Sequence, residues 1–494
     1  MSSSYSSNGV GTKSFSLVQN AFLQAEGLPF RDVLPEAEIE AAFAAENACF
    51  AQDEGDVFTP AVTLWAFLSQ VMHAGRLRSC AAAVSRVAVL CAVLGWKPPK
   101  PYSGTYCHAR AKLPELVLKR LVYAVGEELE SRVPADWLWL GRHVKIPDGT
   151  TLLAQDTPAN QKVWPQSRAQ KPGVGFPILR MLVLISLATA AVCGVAVGSY
   201  KGKETGETAL LRSLLDRFQP GDICLGDCCF ASYFMLALLL AGGVDVVTRQ
   251  HQCRHTDFHS GRRLSEGDHV ATWQRPARPG WMEEETYAQM PEILAVRELK
   301  VEVAIRGFRV KQLIVVTTLT DAEQYPKAEI ARLFRLRWHV ELDLRNIKIS
   351  LQMDDLRGKT PEMVRREIWV HWLAYNLLRK VMAQAALARE RLPRELSFAA
   401  ALTAVVAAWD HATAADPVLL SGLAAMQLNV IAATRVGDRP DRVEPRAIKR
   451  RPKPQKLLTK PRAEARAELL EAKGGGKPAK QLSAVAASRK EGSR

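Results

Sequence analysis

The sequence predicts an α/β fold, and three observations carry that reading. At His143 the hydrophobic pattern changes from helical spacing to short apolar runs; these alternate with turn and helix signals as far as Thr248; and long helical stretches return after residue 321. With 494 residues, 48% hydrophobic and 24% charged, the chain has the composition of a soluble globular protein and the length for two or three domains.

Residues Ser14 to Asp136 read as helical. Arg31 to Ala45 has mixed helical spacing, Pro60 to His73 is amphipathic, and Leu77 to Leu94 is an Ala- and Val-rich run ended by Gly95. After the proline-rich break at Lys97 to Tyr102, Ser103 can cap a short helix bearing Tyr106, His108, Arg110 and Lys112. Pro114 suits the first turn of the next, which runs to about Leu129. A basic, aromatic helix among short helices fits a DNA-reading module and a plain helical bundle equally well.

The core comes next. Val144 to Pro147 is a short strand leading into Asp148-Gly149-Thr150-Thr151. Met181 to Gly198 is uncharged over 18 positions; it is long enough to brush the limit for a membrane span, but its neighbours favour two buried strands joined near Thr189 to Ala191. Thr208 to Phe218 reads as a helix, Ile223 to Gly226 as a strand ending on Asp227, Phe230 to Ala241 as an apolar helix and Val244 to Thr248 as a strand. From His251 to about Thr320, Trp, Pro and Gly mix with alternating runs, Leu299 to Ile305 and Phe308 to Thr317 across an Arg306-Gly307 turn, which predicts a β-rich insert. Helices follow at Tyr325 to Leu356, Pro361 to Leu387 and Ser397 to Trp409. The expected units are 1–136, 137–250, 251–320, 321–438 and a basic, largely disordered tail at 439–494, which includes Arg446 to Lys456 and a break at Gly474 to Gly476.

The charge is unevenly placed. Of the formal +15, the tail from Arg439 carries +11, from 17 Lys and Arg against 6 Asp and Glu. Such a tail suits a polyanion such as nucleic acid. Nine cysteines without regular spacing are not a disulfide framework, so a reducing cytoplasm is expected. MSSSYSSNGVGTKSFS lacks the charged start and apolar run of a signal peptide. His251, Cys253, His255 and His259 lack paired Cys-x2-Cys units and read as a polar turn or DNA contact rather than zinc ligands.

Asp148 and Asp227 are carboxylates expected at the ends of apolar strands, where α/β proteins place their sites. At 100° per residue, Phe334, Arg337, Glu341 and Lys348 share a stripe about 60° wide on the helix from Tyr325, beside an apolar sector of Leu333, Leu336, Val340, Leu344, Ile347 and Leu351. By itself the stripe is as compatible with a solvated face as with a site. Together with the two aspartates, Glu341 completes a set of three oxygen donors of the kind that hard Mg²⁺ prefers.

The order Asp148, Asp227, Glu341, with a β-rich insert before the glutamate, resembles the DDE transposases of bacterial insertion sequences, which have a ribonuclease H-like core. Arg337-x3-Glu341-x6-Lys348 is similar to the Tyr-x2-Arg-x3-Glu-x6-Lys signature of the insertion-sequence-four family. DGTT at Asp148, QDTPANQ at Gln155 to Gln161, the residues around Asp227, RGKTPEMVRREIW at Arg357 to Trp369 and EPRAIKRRPK at Glu444 to Lys453 resemble it too. Phe334 stands where the family has Tyr, and Cys228-Cys229-Phe230 replaces its x-Gly-Phe.

The resemblance implies an α/β, ribonuclease H-like mixed sheet with flanking helices, interrupted by the insert. It implies Mg²⁺, or Mn²⁺ in its place, held by Asp148, Asp227 and Glu341, with phosphates gripped by Arg337 and Lys348. Bases are expected to stack on Trp338 or on the insert's Trp273 and Trp281, and the Phe334 ring to pack or stack. The implied partners are terminal inverted repeats, target DNA and, in the synaptic complex, a second copy, in the bacterial cytoplasm at the nucleoid and without a membrane. The alternative is a non-catalytic DNA-binding protein, either a decayed transposase or a repressor of transposition.

Overall fold

The computed structural model describes residues 13–53, 55–302, 312–436 and 458–474. The expected Arg306-Gly307 turn, the EPRAIKRRPK segment and most of the break at Gly474 to Gly476 lie outside them.

Nine strands form one sheet: β1 (Val144–Leu153), β2 (Ile178–Ser186), β3 (Val192–Ser199), β4 (Ile223–Gly226), β5 (Asp245–Arg249), β6 (Arg262–Ser265), β7 (Asp268–Gln274), β8 (Ile293–Glu302) and β9 (Gln312–Thr317). Their order is β3-β2-β1-β4-β5-β9-β8-β7-β6. The first three are antiparallel to one another, while β1, β4 and β5 run parallel. This is the ribonuclease H-like mixed sheet the sequence leads one to expect. Met181 to Gly198 forms β2 and β3, and among the described residues no helix is long and apolar enough to cross a membrane.

The described part of the insert is β-rich, as expected, and its strands join the central sheet: β9 pairs with β5 and carries β8, β7 and β6 outward as a continuation of it.

Alternation along the strands separates two cores. Ile146, Leu152, Met181, Val183 and Ile185 face a large helical body, while Leu182, Leu184, Cys224 and Val246 face α8 (Glu207–Arg212) and α9 (Tyr233–Ala241). The helical body is made from both ends of the chain. From the first part come α1 (Ser16–Ala21), α2 (Glu36–Ala45), α3 (Pro60–Met72), α4 (Cys80–Val93), α5 (Gly104–Lys112) and α6 (Glu115–Ser131). From the last come α13 (Pro361–Leu387), α14 (Phe398–Ala414) and α15 (Pro417–Ala433). All share one core, so the described residues up to 136 pack together with α13 to α15.

Local signals start most of these helices. Thr59 caps α3 with Pro60 in the first turn, Ser79 caps α4, and Thr360 caps α13 ahead of Pro361. Ser103 makes no side-chain cap bond to α5. Shorter helices sit at α7 (Pro158–Val163), α10 (Glu284–Gln289), α11 (Lys327–Leu336) and α12 (His339–Arg345). Within the tail expected to be disordered, α16 (Arg462–Gly474) is helical.

Helix α13 has polar groups matched by distant elements. Asn376 Nδ2 donates to the carbonyls of Val122 at 3.0 Å and Val192 at 2.9 Å, and its Oδ1 accepts from the Val192 N–H at 2.8 Å. His371 donates from Nδ1 to the Glu367 carbonyl at 2.7 Å and faces Arg78 at 3.3 Å through Nε2. Burial, reinforced by Arg78, pushes the His371 pKa down to about 3. Lys380 is fully buried and its Nζ finds no hydrogen-bond partner among the described residues, so burial pushes its pKa well down.

Two stability predictions follow from these residues. Replacing Lys380→Met keeps the length of the side chain and removes the orphaned amine, so unfolding in urea should need about 1–3 kcal/mol more; an unchanged or lower midpoint would contradict it. The unfolded chain protonates His371 near the ordinary 6.5, but the folded chain does so only near 3. Stability should therefore fall as pH drops below 6.5 toward 3, and His371→Gln should flatten that part of the urea-midpoint profile.

Candidate active site

Parallel register brings the two aspartates together. Val144 pairs with Ile223 and Lys145 with Cys224; carried forward in step, Asp148 falls beside Asp227. Asp148 does not end its strand, as the sequence suggested, because β1 continues to Leu153. It is β4 that stops at Gly226, leaving the edge of β1 open at that level. Asp227 caps the short 3-10 turn Cys228–Phe230, its Oδ1 accepting from the Cys228 N–H at 2.7 Å, and its carbonyl accepts from Thr248 Oγ1 at 2.7 Å.

The third acid arrives on a helix that is not continuous. Residues Arg337 and Trp338 interrupt the stretch between α11 and α12 with bonds to residues three back, Arg337 N–H to the Phe334 carbonyl at 3.2 Å and Val340 N–H to the Arg337 carbonyl at 3.2 Å. After α12 the chain widens into a π-helical turn, Asn346–Ser350, with the Leu351 N–H reaching the Asn346 carbonyl five residues back. The even stripe of the helical wheel is therefore broken. Phe334 turns inward beside Ile330 and Leu333 at 8% exposure, a core residue rather than part of a charged face. Trp338 is half-exposed.

Lys348, on the π turn, reaches β1. Its Nζ lies 3.2 Å from both Thr150 Oγ1 and the Thr151 carbonyl, and 3.3 Å from the Asp354 carboxylate. The carrier segment thus touches the strand that holds Asp148.

Mutual charge marks the site. Burial pushes the Asp148 carboxyl up to about 6, with Glu207 and Glu341 adding to the rise and Arg337 opposing it. Burial also raises Glu341, Arg337 again opposing and Asp227 adding. These carboxylates feel one another and Arg337. Among the described residues, however, no three His, Cys, Asp or Glu side chains converge into a group that could hold a metal ion.

Glu207, at the start of α8, is an acidic neighbour that sequence reasoning missed. A Cβ added at Gly149 would come within 2.3 Å of its Oε1, and Cys229 Sγ lies 3.8 Å from its Oε2. The glycine of DGTT therefore leaves room for a carboxylate beside Asp148. Nothing near Glu207 in sequence announces this, since 58 residues separate the two positions.

Two other sequence segments meet near the site. Gln155 Nε2 donates to the Leu356 carbonyl at 2.8 Å and Thr157 Oγ1 to the Lys359 carbonyl at 2.9 Å, while Glu367 accepts from the Arg357 and Gly358 N–H groups at 2.8 and 2.9 Å. The QDTPANQ and RGKTPEMVRREIW stretches thus fix the loop that follows Lys348.

The tryptophans of the insert are less open than expected. Trp273 is 3% exposed, donates from Nε1 to Glu298 at 3.0 Å, and is covered by the Arg254 guanidinium 3.7 Å from its ring. This structure does not present it for stacking. Trp281 is partly buried, with Arg212 at 3.8 Å over its ring. His251, Cys253 and His255 line a cavity of about 600 Å³ with Cys229, Tyr233 and Phe234.

Asp148 on β1, Asp227 one residue past the end of the neighbouring parallel β4 and Glu341 on α12 keep the chain order of acids that resembles a transposase DDE domain. The transposase DDE domain family matches residues 139–377. The chain is 27% identical to transposase InsG of insertion sequence element IS4 from Escherichia coli strain K12 over 356 residues, 70% of this chain and 76% of that protein. It is 33% identical over 66 residues, 13% of this chain and 18% of the relative, to the transposase of insertion sequence element IS421 from Escherichia coli. A piggyBac transposase, solved as a synaptic complex with hairpin DNA, is similar at a TM-score of 0.41 and 8% identity over 87% of both chains. Residues 139–377 thus match the transposase DDE domain family, and the wider chain is similar to an insertion-sequence-four transposase.

The crowding at Gly149 is testable. Gly149→Ala should displace the flexible end of Glu207 at a stability cost of about 1 kcal/mol or less, and adding Glu207→Ala should recover most of it. Equal costs in the single and double variants, measured by urea unfolding, would contradict the contact.

Proposed function

We propose that this transposase binds the ends of its element, cuts there by metal-dependent phosphoryl transfer, and joins the freed 3′-OH to target DNA. The observation that carries this reading is the juxtaposition of Asp148 and Asp227 by parallel register, with Glu341 and Arg337 close enough to alter the Asp148 pKa. A half-buried carboxyl pushed up to about 6, in part by the neighbouring Glu207 and Glu341, is one that a divalent cation would relieve.

Asp148, Asp227 and Glu341 would hold the cation, Mg²⁺ or Mn²⁺. When bound, it supplies activation of the attacking oxygen and stabilisation of the leaving one. The remaining work falls to the chain. Arg337, whose charge both Asp148 and Glu341 feel, is suited to grip a phosphate with its fork, and Lys348 offers a point charge already oriented by Thr150 and Thr151. Half-exposed Trp338 is the aromatic best placed to stack on a base. The helices of residues 1–136 and the basic tail are proposed to contact DNA outside the cut, and two copies to pair the two ends.

The test is full-length protein with labelled element-end DNA and Mg²⁺. Glu341→Gln should leave end binding in a mobility-shift assay intact and lower nicking by about 10²–10³-fold, the loss expected for removing several kcal/mol of charge stabilisation. End binding with no Mg²⁺-dependent nick in the unaltered protein would leave it a DNA-binding protein without catalysis.

A further inference from the structure

The segment carrying Glu341 is short and irregular at both ends. Helix α12 has seven residues, with three-residue bonds before it and a π turn after it. Its own backbone therefore does not dictate how it is rotated relative to α11, and the direction of Glu341 needs an outside reference.

Asp343 provides one. It lies two residues after Glu341 but is buried, at 2% exposure, and both oxygens of its carboxylate are engaged. Oδ1 accepts from Arg379 Nη2 at 2.7 Å, and Oδ2 from Arg394 Nη1 at 2.8 Å. Arg379 belongs to α13, where its Nε donates to the Tyr375 hydroxyl at 3.0 Å and its guanidinium lies 5.0 Å from the Tyr375 and Phe398 rings.

Arg394 belongs to the 3-10 turn Pro393–Glu395 and donates to the carbonyls of Leu187 and Ser186, the latter at 2.7 Å. Ser186 ends β2, opposite Lys145 on β1, and three residues earlier on β2 Val183 stands opposite Asp148. A continuous path of hydrogen bonds thus runs from α12 through Asp343, Arg394 and β2 to the strand bearing Asp148.

We propose that Asp343 is a positioning residue: held between Arg379 and Arg394, it fixes the rotation of α12 and so aims the Glu341 carboxylate at Asp148 and Asp227. The inference rests on the reading of those three acids as the cation-holding set. The burial of one carboxylate against two guanidiniums makes the clamp exacting, because losing any one member leaves a buried charge without its partner. Arg394, at 11% side-chain exposure, is the member most open to mild alteration. Lysine there keeps the charge but not the fork that spans Asp343, Ser186 and Leu187.

The experiment uses full-length protein with Mn²⁺ as the probe, free Mn²⁺ being counted by electron paramagnetic resonance alongside thermal unfolding and element-end binding. Arg394→Lys and Asp343→Asn should each weaken Mn²⁺ binding by about 10–100-fold, the range for losing a group that orients a metal ligand. The Mn²⁺ needed for half-maximal nicking should rise by the same factor while end binding is unchanged. Should Asp343→Asn fail to fold, Arg394→Lys carries the test alone. Glu341→Gln is the control. Unaltered Mn²⁺ binding in Arg394→Lys, with weakened binding in Glu341→Gln, overturns the clamp and leaves the site reading intact. Unaltered binding in Glu341→Gln overturns the site reading and the clamp with it.

Discussion

The structure depends on the matching of buried polar groups along α13. Twenty-two of its 27 residues are buried, so the helix has no solvated face on which to leave Glu367, His371, Asn376 or Arg379. Each is answered from elsewhere: Glu367 by the loop at Arg357 and by Arg78, His371 by Arg78, Asn376 by α6 and β3, Arg379 by Asp343. Because an unmet group of this kind costs more than a met one contributes, these contacts admit few alternative seatings. The helical body and the sheet are held in one relation by them.

That rigidity bears on the acids. Like charges in one neighbourhood repel, and relaxation would move the carboxylates apart. Here Asp148 is held by strand pairing on β1, Asp227 by its cap and by Thr248, and the Glu341 segment by contacts to β1 and α13. Stability of the surrounding fold is what keeps a locally unfavourable arrangement in place.

Much of this was legible in the residues, and the limits have physical causes. Strands β2 to β5 and helix α13 emerge from local signals, namely apolar runs, caps and turn glycines, and so do Asp148 and Asp227 as candidate acids. Their adjacency was not legible, since it comes from the pairing of β1 with β4. The break at Arg337 and Trp338 contains neither Gly nor Pro, so a uniform wheel ran the charged stripe across it, while Phe334 packs inward with Ile330 and Leu333 ahead of the break. The insert read as a separate material because composition says nothing about which edge its strands join. Glu207 and Asp343 escaped notice because their partners lie far away in sequence. Helix α15 was missed although Asp416 and Pro417 offer a proper start, its composition giving no polar face to set the period.

The π turn after α12 has an evolutionary side. A turn of this kind accommodates about one residue more than an α-helical turn, and it carries Lys348. Losing one residue between Asn346 and Ser350 would restore regular winding and swing the lysine by about 100° around the helix axis, away from Thr150 and Thr151. The position of Lys348 therefore depends on the length of this segment more than on most of its side chains. Lineages of this protein should tolerate substitutions there far more readily than changes in length.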